Sequence, residues 1–204
     1  MTFKHIEKKK DRMQRAITML LSFVPFAISC ILVIACAQYN KVLPSWGSRK
    51  LMHAGVGLIL CASDYQDMCI RYSLHVTTVA CWCSLPFVTV FHFIDRADIG
   101  ALSYVSFLSV VTFFDVPYYK IMPLFVADPM GAIAGRNINS VKLWGDKSLA
   151  GSLAVWIFAT LTLYGGTLMG RVMDGFVIAG IELFAGKYDN PCIGVYLVLR
   201  EMLT

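Results

Sequence analysis

The sequence predicts an all-α, polytopic integral membrane helical bundle, with about seven to eight transmembrane segments, some of them short or broken. Three observations lead there. The 204 residues are 57% hydrophobic with a mean hydropathy of +0.64. Charged residues make up only 15% and gather between apolar runs rather than alternating with apolar residues. Glycine and proline recur inside those runs, as neighbouring helices allow in a bilayer. A multi-pass integral membrane protein follows, and endoplasmic reticulum, plastid and bacterial inner membrane all suit it. The formal charge of +5 does not point to nucleic acid. Its basic residues flank apolar segments, where they meet headgroups or a phosphorylated ligand.

Residues 1–15 form a basic tail carrying Lys4, Lys8, Lys9, Lys10, Arg12 and Arg15, and residues 16–204 form one transmembrane domain. The first apolar run, Ala16 to Ala37, is too long for a signal-peptide core and reads as a retained span. Ser48 is the expected N-cap of a short segment, Leu51 to Ala62, whose start places Arg49, Lys50 and His53 on one helix face. Further spans are expected over Ser73 to Phe93, Ile99 to Val116 (capped by Asp98) and Tyr118 to Gly135. Leu149 to Leu168, Phe176 to Ala185 and Cys192 to Leu203 complete the set. A turn is expected at Gly170 to Asp174, and Asp189 or Asn190 caps the last helix. If each run crosses once, the helix starts at Ser48, Asp98, Ser148 and Asn190 all point to one face. The seven cysteines show no C-x-x-C pair or zinc spacing.

The chemistry concentrates between Val126 and Ser152. Asp128-Pro129 reads as a helix start with a capping carboxylate. Asp128, Ala132 and Gly135 share a helix face with Gly131 beside them, and small residues there let a backbone or ligand approach. Lys147-Ser148 opens the next helix, where free amides and a positive dipole end favour phosphate. A carboxylate suited to Mg²⁺ and a cationic seat suited to phosphate are thus joined by one loop. Gly145-Asp146-Lys147-Ser148 is not a Walker A loop, for the upstream glycine is missing. Zinc and Ser-His-Asp signatures are also absent.

The pattern D-x-x-x-A-x-x-G-R, a spacer, then K-S-x-A-G-S resembles the signature of the polyprenol kinase family, carried by Asp128, Gly135, Arg136, Lys147, Ser148, Gly151 and Ser152. That family includes dolichol kinase, phytol kinase and CTP-dependent diacylglycerol kinase, and is distantly similar to phosphatidate cytidylyltransferase. Arg49, Lys50, His53 and Gly57 are similar to an R-K-x-x-H-x-x-x-G element of the family. Arg96, Asp98, Gly100 and Tyr104 are similar to R-x-D-x-G-x-x-x-Y, and Glu182, Asp189 and Asn190 to its closing acidic stretch. Ala127 replaces a frequent family glycine, and Pro191 follows Asn190 earlier than the pattern has it.

The resemblance implies a membrane-embedded lipid kinase that moves the γ-phosphoryl group of a nucleoside triphosphate, CTP in the family, to a hydroxyl. The acceptor is a polyprenol, a phytol-like alcohol or diacylglycerol drawn from the bilayer. Phosphoryl transfer requires alignment, a metal bridging phosphate oxygens, and cations facing the developing charge. Asp128 is the first candidate Mg²⁺ ligand, Asp189 the second and Glu182 the third. Lys147, Arg136, Arg49 and Lys50 are candidate triphosphate contacts, with Gly135, Ser148 and Gly151 shaping the nucleotide seat. His53 or Asp98 is the candidate acceptor of the hydroxyl proton. Two other functions fit the same features. One is a phosphatidate cytidylyltransferase-like synthesis of a CDP-lipid, and the other a non-catalytic transporter or scaffold binding anions at helix starts.

Overall fold

The structure is a computed structural model and describes residues 3–39, 42–63, 67–84 and 99–203. In order along the chain these form α1 (Phe3–Tyr39), α2 (Ser45–Ala62), α3 (Met68–Ser84), α4 (Ile99–Phe113) and α5 (Met122–Asn137). A small antiparallel pair, β1 (Lys142–Trp144) and β2 (Lys147–Ser148), precedes α6 (Leu149–Thr162), α7 (Leu168–Ala185) and α8 (Asp189–Leu203). Short 3₁₀ turns at Tyr118–Ile121 and Gly186–Tyr188 lead into α5 and α8.

Helix α5 is the axis of the bundle, packed by α2, α6 and α8. Its first half is buried without interruption from Pro123 to Phe125 and again from Ala127 to Pro129. Leu124 and Phe125 meet Ile121, Val155, Ile178, Ile193 and Leu197 in the main hydrophobic cluster. Close backbone approach makes this packing possible. A Cβ on Gly57 of α2 would stand 2.2 Å from the Phe125 ring, and one on Gly131 2.3 Å from Val155 Cγ2 of α6. The small-residue face expected on α5 is therefore the surface on which α6 crosses it.

The all-helical expectation agrees with this architecture, apart from the hairpin, but the membrane-spanning expectation does not. Among the described residues no helix is long and apolar enough to cross a membrane. That overturns the polytopic transmembrane bundle and the multi-pass integral membrane localisation together. For α2 and α4 to α8 the physical reason is where the helices break and where their charges fall. Helices α4, α5, α6 and α8 have 15, 16, 14 and 15 residues. At about 1.5 Å per residue such helices reach roughly 21–24 Å, against a hydrocarbon core of ~30 Å. Helices α2 and α7 have 18 residues each, but α2 carries Arg49 and Lys50, and α7 carries Arg171, Asp174 and Glu182. Much of the sequence's apolarity lies on outward helix faces, as at Leu153, Ile157 and Leu161 of α6 and Phe176 of α7.

Several boundaries differ for local reasons. Asp128 is not an N-cap but sits inside α5, which begins a turn and a half earlier at Met122-Pro123 and runs through Pro129. Ser48 likewise lies inside α2, whose N-cap is Pro44. In both cases an earlier proline sets the start. The turn expected at Gly170 to Asp174 is part of α7, capped by the Thr167 hydroxyl, which accepts from the Gly170 amide at 3.1 Å. Asp98, Arg96 and the end of the segment expected over Ser73 to Phe93 lie outside the described residues.

Candidate metal centre

Helix α2 presents Lys50 and His53 three residues apart, on the face turned towards α5. Lys50 Nζ donates to Asp128 Oδ2 at 2.6 Å, and His53 Nδ1 lies 3.4 Å from the same oxygen. Asp128 is 2% exposed, so its charge is screened by these neighbours rather than by water. Burial pushes its carboxyl up, but the Lys50 charge, with His53 beside it and the Lys50 hydrogen bond, outweighs this and holds it below the ordinary value. Burial in turn lowers His53 to about 4, although Asp128 opposes the shift, so the ring is neutral at physiological pH.

The opposite wall comes from the C-terminal half of the chain. Lys147 on β2 donates to Glu182 Oε1 of α7 and lies 3.4 Å from Asp189 Oδ2 at the first residue of α8. The helices that carry Glu182 and Asp189 are separated by the 3₁₀ turn alone. Burial raises the Glu182 carboxyl above its ordinary value despite Lys147. Asp189 is raised too, by burial first and then by the negative charge of Asp128. Lys147 is raised because its carboxylate partners outweigh its own desolvation.

The two walls meet. Among the described residues, one oxygen from each of Asp128, Glu182 and Asp189 lies within 4.8 Å of the others. Three convergent carboxylates are the donor set of a hard divalent cation such as Mg²⁺, which completes its octahedron with water and phosphate oxygens. Lys50 and Lys147 already balance part of this negative charge. The donor set thus fits a hard divalent cation, with the two ammonium groups beside it.

Other residues singled out by sequence have different surroundings. The Arg136 guanidinium lies 4.3 Å over the Trp46 ring, a cation–π contact that ties α5 to the start of α2. Arg49 is exposed at the edge of α2. Ser148 caps α6, its Oγ accepting from Gly151 N at 3.3 Å and donating to the Gly135 carbonyl at 3.4 Å. The next two amides are also taken, Leu149 N by the Val141 carbonyl at 2.9 Å and Ala150 N by Ser140 Oγ at 3.0 Å. The open amide seat for phosphate expected there is thus filled from within the chain. Gly135, Ser148 and Gly151 fix the α5–α6 crossing, which leaves anion recognition here to side chains.

Sequence reading missed the β1–β2 hairpin that carries Lys147. Its signal was Gly145-Asp146, with Gly145 at φ +54° in the first position of a two-residue turn. Tyr104 matches a family element in the sequence, but no site role follows for it there. Its ring lies 4.2 Å from that of His53, centroid to centroid. No protein-family model matches the chain, and no curated protein or solved structure matches it either.

Proposed function

We propose that this protein is a Mg²⁺-dependent phosphotransferase that moves the γ-phosphoryl group of a nucleoside triphosphate to an alcohol. The observation that carries this reading is the convergence of Asp128, Glu182 and Asp189, from three separate helices, around the ammonium groups of Lys50 and Lys147. CTP as donor, and a long-chain alcohol such as a polyprenol, phytol or diacylglycerol as acceptor, follow from the sequence resemblance.

Asp128, Glu182 and Asp189 would hold the metal. When bound, it would supply charge neutralisation to the phosphoryl group. Lys147 and Lys50 face the triphosphate and compensate the charge that grows on the leaving oxygen. His53, neutral with Nδ1 towards Asp128, offers Nε2 to the acceptor hydroxyl. The acceptor oxygen forms a bond to the γ-phosphorus, the bond from that phosphorus to the nucleoside diphosphate breaks, and the hydroxyl proton passes to His53. Because the transition state is loose, this weak base serves more by holding the oxygen in line than by removing the proton early.

The test is purified protein with γ-labelled CTP, Mg²⁺ and a panel of alcohols in detergent micelles. Label should appear on the alcohol with stoichiometric CDP. Pyrophosphate with a CDP-linked product instead would identify a cytidylyltransferase. Intact CTP with every acceptor would remove the catalytic reading.

A further inference from the structure

We propose that Tyr104 is a substrate-contacting residue, its hydroxyl and the His53 Nε2 together seating the acceptor's alcohol group beside the Asp128 centre. This rests on the phosphotransfer reading above.

Three aromatic rings on three helices build the seat. His53 of α2 lies 4.2 Å from Tyr104 of α4, tilted by 50°. Phe125 of α5 stands edge-on to both, at 6.3 Å and 6.4 Å between centroids. Within this wall His53 is 9% exposed, yet its Nε2 is buried without a hydrogen-bond partner among the described residues, and so is Tyr104 Oη. Leaving a buried polar atom unpaired costs about 1–3 kcal/mol, so two in one place mark a site arranged for something else. That place adjoins the metal centre, since the other nitrogen of His53 is 3.4 Å from Asp128.

The pair also selects a chemical class. With Nδ1 turned to the Asp128 carboxylate at 3.4 Å, Nε2 is the ring's acceptor, whereas a phenol can donate. A hydroxyl group satisfies both at once, giving its proton to Nε2 and taking one from Tyr104. A carboxylate has nothing to give Nε2, an ammonium nothing to take from Tyr104, and either charge would be stranded against Phe125. The seat is therefore built for an uncharged alcohol.

Tyr104→Phe tests this, because it removes the oxygen and keeps the ring. With phytol as acceptor, kcat/KM should fall at least about tenfold, the order expected for one lost hydrogen bond to the reacting group. The Kd values for Mn²⁺ and for CTP should stay within about twofold, less than 0.5 kcal/mol. The Tm should hold or rise, since an unpartnered hydroxyl has been removed. Undiminished phytol turnover in the variant would overturn the proposal and leave the phosphotransfer reading standing. A parallel loss of Mn²⁺ affinity and Tm would reduce Tyr104 to a packing residue. Wild-type protein that binds Mn²⁺ and CTP but phosphorylates no alcohol would remove both.

Discussion

Helices α7 and α8 lie side by side, and their two ends handle charge in opposite ways. At one end Asp174 accepts from Tyr196 Oη at 2.7 Å and from Arg200 Nε at 2.6 Å. Arg200 also donates to the Tyr164 carbonyl at 3.1 Å and to Glu201 at 2.9 Å, and Lys120 pairs with the other Glu201 oxygen at 2.9 Å. Opposite charges alternate there, and burial together with the Asp174 bond pushes the Tyr196 phenol up to about 12. At the other end Glu182 and Asp189 share a single ammonium group, and both carboxyls are raised. One helix pair thus has an end whose charges are matched and an end where like charges crowd. The matched end fixes the pair, and the crowded end keeps a demand for positive charge that a ligand can meet.

The sharpest way to break that contrast is Asp128→Asn. It should lower phosphoryl transfer by about 10³-fold or more, a loss of roughly 4 kcal/mol in transition-state stabilisation, with a lower Tm as Lys50 loses its buried partner but the chain still folded. Retained activity in single-turnover assays would take Asp128 out of the metal site. Next in size, Arg200→Met attacks the matched end. Its side chain is 9% exposed, so stranding Asp174 should destabilise the fold by about 3 kcal/mol in denaturant titration. Mn²⁺ affinity of the protein that remains folded should not move; if it collapses, the two ends are not separable.

Lys147→Met sharpens the contrast from the other side. It should raise the KM for CTP about tenfold, or ~1.4 kcal/mol. It should also tighten Mn²⁺ binding in the absence of nucleotide, because the internal cation is gone. Weaker Mn²⁺ binding would mean that Lys147 organises the carboxylates rather than competing for them.

The smallest effect is on the pH dependence of stability. With raised folded values, Glu182 and Asp189 hold more protons in the native chain than in the unfolded one, between the ordinary and the raised values. Stability therefore rises as pH falls through that window. Asp128 runs the other way, its contribution present above the ordinary aspartate value and lost as pH falls through its depressed one. Metal-free protein acidified from neutrality should gain Tm, then lose it once Asp128 protonates, and saturating Mg²⁺ should suppress the gain. A Tm that only declines on acidification contradicts this assignment, and Glu182→Gln should flatten the rise.

Asp128, Lys147, Glu182 and Asp189 could be picked out from sequence because they stand at the positions that resemble the polyprenol kinase signature. Their mutual distances could not be read there, since α5, β2, α7 and α8 meet only in the folded chain. Arg136 shows the limit of motif reading, for its stacking on Trp46 joins residues ninety positions apart. Tyr104 stood inside a recognised element but gained meaning only through its contact with His53. The membrane expectation failed because hydropathy counts apolar residues without seeing the breaks, as at Leu163–Thr167 between α6 and α7.

The hairpin gives Lys147 a mount unlike those of its partners. The carboxylates are rooted in helices, whereas the amine hangs on a ribbon with an exposed first strand, pinned by the bond from Lys142 Nζ to the Asp146 carbonyl at 2.8 Å. Ribbons of that size hold together only weakly by themselves. The amine's position is thus set by a short ribbon and its own ion pairs, so stiffening the bend at Gly145 would shift that position without touching any carboxylate.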